Sequence, residues 1–254
     1  MSFSLSRFFN VFFHLIVSLI VTFSASICMA DNGVDLDPGL IPVPRIVSFS
    51  WMSLETWQQK FASQNAIADQ GGVDLLFLGD SITEGWDQAI WTQHFSHYHP
   101  ANFAIGGDHT GNILWRLQNG HYGKLKPKLV VLLIGVNNIG LFNAAPKQLS
   151  SAIEAVLNNL HTLFPEAKIL LNGIFPFEES GLSPKRAIIT ESNQALVLLA
   201  DEKQVYFRNY GGLFMQKNGD ISKEMMRDFL HLTPAAYQLW ADAMTPDIQK
   251  LMQR

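Results

Sequence analysis

Beyond Gly72 the chain alternates between short runs of almost entirely apolar residues and longer stretches in which apolar residues recur every three or four positions. The first pattern is typical of parallel strands buried on both faces of a sheet, and the second of helices that cover such a sheet. Because the two patterns alternate without an internal sequence repeat, the sequence predicts a doubly wound, three-layer α/β fold. The predicted strands span residues 73–78, 102–104, 129–134, 168–171 and 205–207.

Five helices are predicted around this flavodoxin-like, five-stranded parallel sheet, completing an α/β/α sandwich. Ser50 is the predicted N-cap of the first helix, because Trp51 and Leu54 follow it at helical spacing. A chain of 254 residues is long enough to bury one substantial core, so residues 51–254 are predicted to form one domain. The predicted helices span residues 51–68, 110–119, 146–163, 184–201 and 234–252.

The first thirty residues differ in composition from the rest of the chain. Between Phe8 and Ile27 they are almost wholly apolar, Arg7 is their only charged residue, and small residues flank Met29. A positive charge, an apolar run and small residues around a cleavage site are typical of a secretory signal. We therefore expect residues 1–30 to be a signal peptide and the protein to be exported, to a periplasm or the medium. A retained membrane anchor through residues 8–27 is the alternative, because a run of this length can just span a bilayer.

A polar lead-in, residues 31–50, separates the predicted signal peptide from the predicted domain. It contains Pro38, Pro42 and Pro44. Proline lacks a backbone N–H and fixes φ, so closely spaced prolines oppose regular secondary structure. We expect this segment to be an irregular tether.

Charge and cysteine content exclude several classes of protein. The formal net charge of −4 provides no basic surface for nucleic acid. The single cysteine, Cys28, lies in the predicted signal peptide, which excludes a disulfide, a cysteine nucleophile and a cysteine-based zinc site from the mature chain. We expect no metal and no cofactor, and the sequence leaves open whether the protein is a monomer or a homodimer.

Ser81 occupies a position that suits a nucleophile. Doubly wound sheets bind ligands beyond the carboxyl ends of their strands, and Ser81 follows the first predicted strand through Gly79. Its hydroxyl should lie at a strand-to-helix turn, where backbone N–H groups favour bound negative charge. Ser81 and Glu84 also match a Ser-x-x-Glu capping box, in which both residues only start a helix. The local sequence leaves both interpretations open.

Asp228 and His231 could activate such a hydroxyl. Serine attacks only when a neutral histidine takes its proton and, usually, a carboxylate orients that histidine. Three residues apart, the two side chains can meet across one turn, and Thr233-Pro234 resembles the start of a helix that would fix the loop. Taken alone, such a pair is more often a surface hydrogen bond than a catalytic one.

Acyl transfer also requires hydrogen-bond donors directed at the developing oxyanion. Three candidates follow neighbouring predicted strands: the backbone N–H of Ser81, the backbone N–H of Gly107 and the side-chain amide of Asn137. Gly107 could instead mark a tight turn and Asn137 an Asx turn. Their position at one edge of the sheet favours the functional interpretation.

Six motifs occur in an order that resembles a known family. The order and the residue types resemble those of the SGNH (GDSL-type) hydrolases, most closely the catalytic subunits of the platelet-activating-factor acetylhydrolase branch, over about residues 51–244. The motifs are Trp51-Met52-Ser53-Leu54, Leu78-Gly79-Asp80-Ser81, Asn102-Phe103-Ala104-Ile105-Gly106-Gly107-Asp108, Leu114-Trp115-Arg116-Leu117-Gln118-Asn119-Gly120, Gly135-Val136-Asn137-Asn138 and Asp228-Phe229-Leu230-His231-Leu232-Thr233-Pro234.

The resemblance implies a role for each candidate residue. It makes Ser81 the nucleophile and places Asp228 and His231 with it in a catalytic triad. It also makes Gly107 and Asn137 oxyanion-hole residues, together with the backbone N–H of Ser81.

The resemblance further implies that Ile82 and Leu230 border the acyl pocket and favour short acyl groups. The predicted function is serine-dependent hydrolysis of a small acyl ester, with acetyl as the expected acyl group. The alternative is a non-catalytic exported module that binds a glycan or a phosphate, in which the glycine-rich loops cradle the ligand and Ser81 only starts a helix.

Overall fold

Five parallel strands form one sheet in the computed structural model, which describes residues 39–253. Their order is β2-β1-β3-β4-β5, the flavodoxin-like order, and every pair is parallel. Each predicted strand matches an observed one to within two residues at either end, and the predicted α/β fold is confirmed. The strands are β1 (Leu75–Gly79), β2 (Pro100–Asn102), β3 (Leu129–Leu133), β4 (Lys168–Asn172) and β5 (Val205–Arg208).

Helices cover both faces of the sheet. Parallel strands are joined by right-handed crossovers, which place α3 on one face and α4, α6 and α7 on the other. Helix α8 packs against α3, whereas α6 packs against both α4 and α7, so the structure has three layers. The helices are α1 (Leu54–Gln70), α2 (Ser81–Glu84), α3 (Gln88–Phe95), α4 (Thr110–Asn119), α5 (Val136–Phe142), α6 (Pro146–Leu163), α7 (Pro184–Val197) and α8 (Pro234–Met252).

Three helix ends differ from the prediction: both ends of α1, which spans 54–70 rather than 51–68, and the C-terminal end of α7. Ser53, not Ser50, is the N-cap of α1, because its Oγ accepts a hydrogen bond from the N–H of Thr56 at 3.0 Å. Helix α7 ends at Val197, four residues before the predicted end at residue 201. The short helices α2, α3 and α5 were not predicted, because four to eight residues carry too little periodicity to indicate a helix.

The described part of the lead-in, residues 39–50, contains no helix or strand, as predicted, but it is not a free tether. The Val43 N–H donates to Gly111 O at 3.1 Å. Thr110 Oγ1 donates to Gly39 O at 2.9 Å, and Asn112 Nδ2 donates to Val43 O at 2.9 Å. These bonds attach residues 39–50 to the first turn of α4.

The predicted signal peptide, residues 1–30, and residues 31–38 of the lead-in lie outside the described part of the chain. Within residues 39–253, no helix combines the length and the apolar character needed to cross a membrane.

The centre of the sheet fixes where the candidate site can form. Every residue of β1 and β3 is buried, and the two strands pair in register from Leu75↔Leu129 to Gly79↔Leu133. The chain leaves β1 toward β2 but leaves β3 toward β4, so a crevice opens between the carboxyl ends of β1 and β3. Ser81 and Asn137 follow these two strands and therefore lie at this crevice.

Candidate active site

The turn after β1 holds Ser81 at the start of α2. The N-cap is Asp80, whose Oδ1 accepts a hydrogen bond from the Ile82 N–H at 3.0 Å, so Ser81 is the first helical residue. The carboxylate of Glu84 does not close a capping box, because its Oε2 accepts the Gly106 N–H at 2.8 Å instead. The capping-box interpretation of Ser81 and Glu84 is therefore wrong.

Three predicted side chains are hydrogen-bonded in series. His231 Nε2 lies 2.9 Å from Ser81 Oγ, and His231 Nδ1 lies 2.7 Å from Asp228 Oδ2. The other carboxylate oxygen of Asp228 accepts the backbone N–H groups of His231 at 2.7 Å and of Leu230 at 3.2 Å. Partial burial raises the pKa of Asp228, but the hydrogen bonds from His231 and Leu230 outweigh it and hold this pKa below its ordinary value. Asp228 is therefore an ionised acceptor at neutral pH.

The backbone between Asp228 and His231 turns sharply to make these contacts. Phe229 has a φ of 61°, in the left-handed region that non-glycine residues seldom adopt. Its carbonyl accepts the Glu178 N–H at 2.9 Å, which ties the loop to the segment that follows β4. Beyond the loop, Tyr237 of α8 donates to Ile82 O at 2.7 Å, so α8 is tied directly to α2.

The turn at Gly106 and Gly107 lies against the nucleophile. A Cβ built on Gly106 would be 3.5 Å from the Cβ of Ser81, so the two backbones are neighbours. Gly107 has a φ of 75°, and a Cβ at this position would lie 2.2 Å from the ring of Trp51. A side chain at this positive φ would be strained and would clash with Trp51, so the position favours glycine.

Asn137, in the first turn of α5, is oriented by the loop after β2. Its Nδ2 donates to Asp108 O at 2.8 Å, which leaves a second amide hydrogen for a bound oxyanion. The next residue, Asn138, is buried and exchanges two hydrogen bonds with Thr110, at 3.2 and 2.7 Å. Asn138 therefore connects α5 to α4, whereas Asn137 is placed to contact a ligand.

A buried cluster of charges lies behind this loop. Asp108 and Arg116 are both fully buried and pair at 2.9 Å between Oδ2 and Nε. Asp108 Oδ1 also accepts Trp57 Nε1 at 2.7 Å and Arg45 Nη2 at 3.4 Å. Burial raises the pKa of Asp108, and Arg116, Trp57 and Arg45 act against that rise. Because Asp108 belongs to the loop, these bonds fix the loop backbone to the interior of the protein.

Sequence reasoning did not identify Arg45 or Asp80 as parts of the site. Arg45 lies in a proline-rich segment without a motif, so no local signal indicated its burial. Asp80 is fully buried, burial raises its pKa to about 7, and its Oδ2 has no hydrogen-bond partner within the described residues. The buried capping role of Asp80 depends on the tertiary structure.

The two residues expected to border the acyl pocket lie in different environments. Leu230 is half-buried in the loop before His231. Ile82 is 1% exposed and packs inside the core, so its side chain does not line an open surface in this structure. The acyl-pocket assignment of Ile82 is therefore not supported by its placement.

A doubly wound α/β fold with a hydroxyl, an imidazole and a carboxylate bonded in series at its crevice has the architecture of a serine hydrolase. Residues 77–239 match the model of the GDSL-like Lipase/Acylhydrolase family. The chain belongs to this family, and it is a carboxylic ester hydrolase.

Curated relatives and a solved structure agree with this assignment. The chain is 39% identical over 167 residues to Platelet-activating factor acetylhydrolase IB subunit alpha2 of Gallus gallus, covering 65% of this chain and 71% of the relative. It is 32% identical over 190 residues to the alpha1 subunit of Rattus norvegicus, covering 74% and 77%. It is also similar to a solved structure from Streptococcus pneumonia, provisionally described as a platelet activating factor, with 26% identity, a TM-score of 0.64, and coverage of 77% of this chain and 96% of that one.

Proposed function

We propose that the protein removes short acyl groups, with acetyl as the preferred one, from an ester by way of an acyl-enzyme on Ser81. The observation that carries the proposal is the continuous series of hydrogen bonds from Ser81 through His231 to Asp228. Each member has the chemistry that its step requires: a hydroxyl to attack, an imidazole to move the proton and a carboxylate to orient the imidazole.

The proposed reaction has two half-reactions. In the first, Ser81 Oγ bonds to the ester carbonyl carbon while its proton passes to His231 Nε2. The carbon–oxygen bond to the alcohol then breaks, and the alcohol leaves with that proton. In the second, water attacks the acyl-enzyme with His231 as base, the acid is released, and Ser81 regains its proton. The N–H groups of Ser81 and Gly107 and the amide of Asn137 stabilise the oxyanion in both halves.

Labelling and turnover test this mechanism together. A fluorophosphonate should modify Ser81, identified by peptide mass spectrometry, and p-nitrophenyl acetate should be hydrolysed with a burst of nitrophenol. Folded protein that resists the probe and cleaves no acetate would contradict the assignment of Ser81.

The preference for acetyl is supported by the two curated relatives, both named as acetylhydrolases. We expect kcat/KM to fall from p-nitrophenyl acetate to the butyrate and the octanoate. A constant or rising kcat/KM along this series would contradict the acetyl preference while leaving the Ser81 mechanism intact.

Export is part of the proposal and rests on the composition of residues 1–30. Expression of the full chain in a bacterial host should yield a periplasmic or secreted protein whose first residue, found by intact mass, is Asp31. An uncleaved chain in the membrane fraction would support the anchor through residues 8–27 instead.

A further inference from the structure

An apolar groove of about 620 Å³ lies beside the Gly106–Gly107 turn. One of its walls is formed by residues 41–49, which we call the N-terminal strap. This segment precedes the part of the chain that matches the family model, residues 77–239. The groove is lined by Val43, Val47 and Phe49 of the strap, by Leu141 and Phe142 at the end of α5, and by Gly107 between them.

Most polar side-chain atoms at the groove are already bonded within the protein, and Arg45 Nη1, which has no hydrogen-bond partner within the described residues, is buried. Asn112 Nδ2 donates to Val43 O, and His109 Nδ1 accepts the Gly111 N–H at 3.1 Å. Burial, assisted by the charge of Arg45, lowers the pKa of His109 to about 4, so its ring is neutral at neutral pH. Arg45 is paired with Asp108. The groove therefore favours an apolar ligand over a charged one.

We propose that this groove binds an apolar alcohol portion of the ester substrate, an inference that rests on the proposed function. Gly107 lines the groove and also belongs to the proposed oxyanion hole, so the groove adjoins the place where the ester carbonyl would bind, although Ser81, His231 and Asn137 do not line it. A volume of about 620 Å³ lies within the range of small-molecule sites. An acetyl group is far too small to fill it, which assigns the groove to the alcohol side. The structure thus predicts acetyl esters of alkyl or aryl alcohols as the substrate class.

Two isomeric esters separate the alcohol side from the acyl side. Octyl acetate and ethyl octanoate have the same composition, but they carry the long chain on opposite sides of the ester. From ethyl acetate to octyl acetate, kcat/KM should rise by about two- to fourfold per methylene until the groove is filled. Ethyl octanoate should show no such gain. Equal rates for the isomers, or a preference for ethyl octanoate, would overturn the proposal.

Variants in the strap and at the end of α5 test whether the preference for octyl acetate arises in the groove. Leu141→Ser and Val47→Ser should each lower the ratio of octyl acetate to ethyl acetate turnover by about fivefold. The matched control is Leu198→Ser, because Leu198 is an exposed leucine, 84% accessible, at the end of α7. It should leave both rates unchanged. Wall variants that behave like this control would overturn the groove assignment, whereas loss of fluorophosphonate labelling and of all esterase activity in the parent protein would instead mark failure of the proposed function.

Arg45 contacts the peptide group that joins Gly106 to Gly107. Gly106 O and the Gly107 N–H belong to the same trans peptide, so they point in opposite directions. Arg45 Nη2 donates to Gly106 O at 2.8 Å, and the guanidinium lies 5.5 Å from the ring centre of Phe49 and 5.8 Å from that of Trp51. We infer that Arg45 is a positioning residue, which fixes this peptide so that the Gly107 N–H faces the oxyanion.

Substitution of Arg45 tests this role through the split between kcat and KM. Arg45→Met should lower kcat for p-nitrophenyl acetate by about tenfold to hundredfold with KM within about twofold, because a misdirected oxyanion donor acts on the transition state. Arg45→Lys, which retains one donor for Gly106 O, should recover part of that loss. Arg208→Met is the control: it removes an arginine paired with Glu202 and Asp247 on β5 and should not change kcat.

Either of two results would overturn the inference. One is a loss of kcat in Arg45→Met no larger than in Arg208→Met. The other is an effect confined to KM. If Arg45→Met does not fold, Arg45→Lys decides by the same criterion, since a purely structural role would lower the melting temperature without lowering kcat at temperatures where the variant is folded.

Discussion

The two halves of the candidate site are held in place in opposite ways. Asp228 and His231 lie in a loop where their side chains are 49% and 27% exposed, and their mutual hydrogen bonds span three residues. The loop at Gly106 and Gly107 ends in Asp108, whose carboxylate is fully buried. Its partners Arg116, Trp57 and Arg45 are 8, 51 and 63 positions away in the chain.

This difference in burial predicts that one region mainly affects activity and the other mainly affects stability. A partly exposed, locally bonded pair contributes little to the free energy of unfolding, because water replaces much of what it loses. Water cannot replace the lost partner of a fully buried charge. We therefore expect changes in the acid–base loop to remove activity and spare the fold, and changes in the buried cluster to destabilise the fold.

His231→Ala should produce the largest effect. Without a base next to Ser81, kcat should fall by about 10⁴- to 10⁶-fold, as in other serine hydrolases that lose a triad member. The free energy of unfolding should change by less than about 1 kcal/mol, since the ring is partly exposed. Initial rates with p-nitrophenyl acetate and urea unfolding measure the two quantities. A variant that keeps its activity would contradict this expectation. So would one that loses both its activity and several kcal/mol of unfolding free energy.

Asp108→Asn should have the converse effect. The amide keeps the shape of Asp108 but leaves the buried charge of Arg116 unpaired, which should cost about 3 to 5 kcal/mol of unfolding free energy. Glu202→Gln is the matched control, because it also removes a carboxylate from an arginine, Arg208, but at an exposed position. It should cost less than about 1 kcal/mol. Similar losses in the two variants would show that burial does not distinguish the two regions.

The pH dependence of stability tests the effect of burial at a second carboxyl group, Asp80. Unfolded Asp80 ionises near 3.8, whereas burial raises its folded pKa to about 7. Between these values the folded state binds more protons, so this group makes the fold less stable as pH rises from about 4 to about 7. Asp80→Asn should therefore gain stability relative to the parent over that interval and keep a constant difference above it. Urea unfolding at several pH values checks this, and a difference independent of pH would contradict it.

Tyr237→Phe should have the smallest effect, at the contact that joins α8 to α2. Loss of the buried hydrogen bond to Ile82 O should cost about 1 to 2 kcal/mol. Tyr206→Phe is the control, since the hydroxyl of Tyr206 donates to Lys203 O at an exposed position. It should cost less than about 0.5 kcal/mol. Thermal unfolding of the pair measures the difference, and a larger loss in Tyr206→Phe would reverse the expected order.

Local patterns were sufficient for much of the architecture. The strands were predicted to within two residues, because buried parallel strands are short apolar runs bounded by turn residues. Helix α1 was misplaced by three residues, because Ser50 and Ser53 are both chemically able to cap and only the bonding of Ser53 to Thr56 decides between them. Helix α5 was not predicted, because its seven residues follow a glycine and include two asparagines.

The sequence by itself determined the fold class and nominated Ser81, Asp228 and His231, because periodicity and residue chemistry are local properties of a chain. Only the tertiary structure decided that Asp80 caps the nucleophile helix and that Arg45 reaches the peptide of Gly106 and Gly107. Those contacts depend on which distant segments meet and on how much water they exclude. The exclusion of water raises the pKa of Asp80 and of Asp108. The residues next to them in the chain do not determine that exclusion.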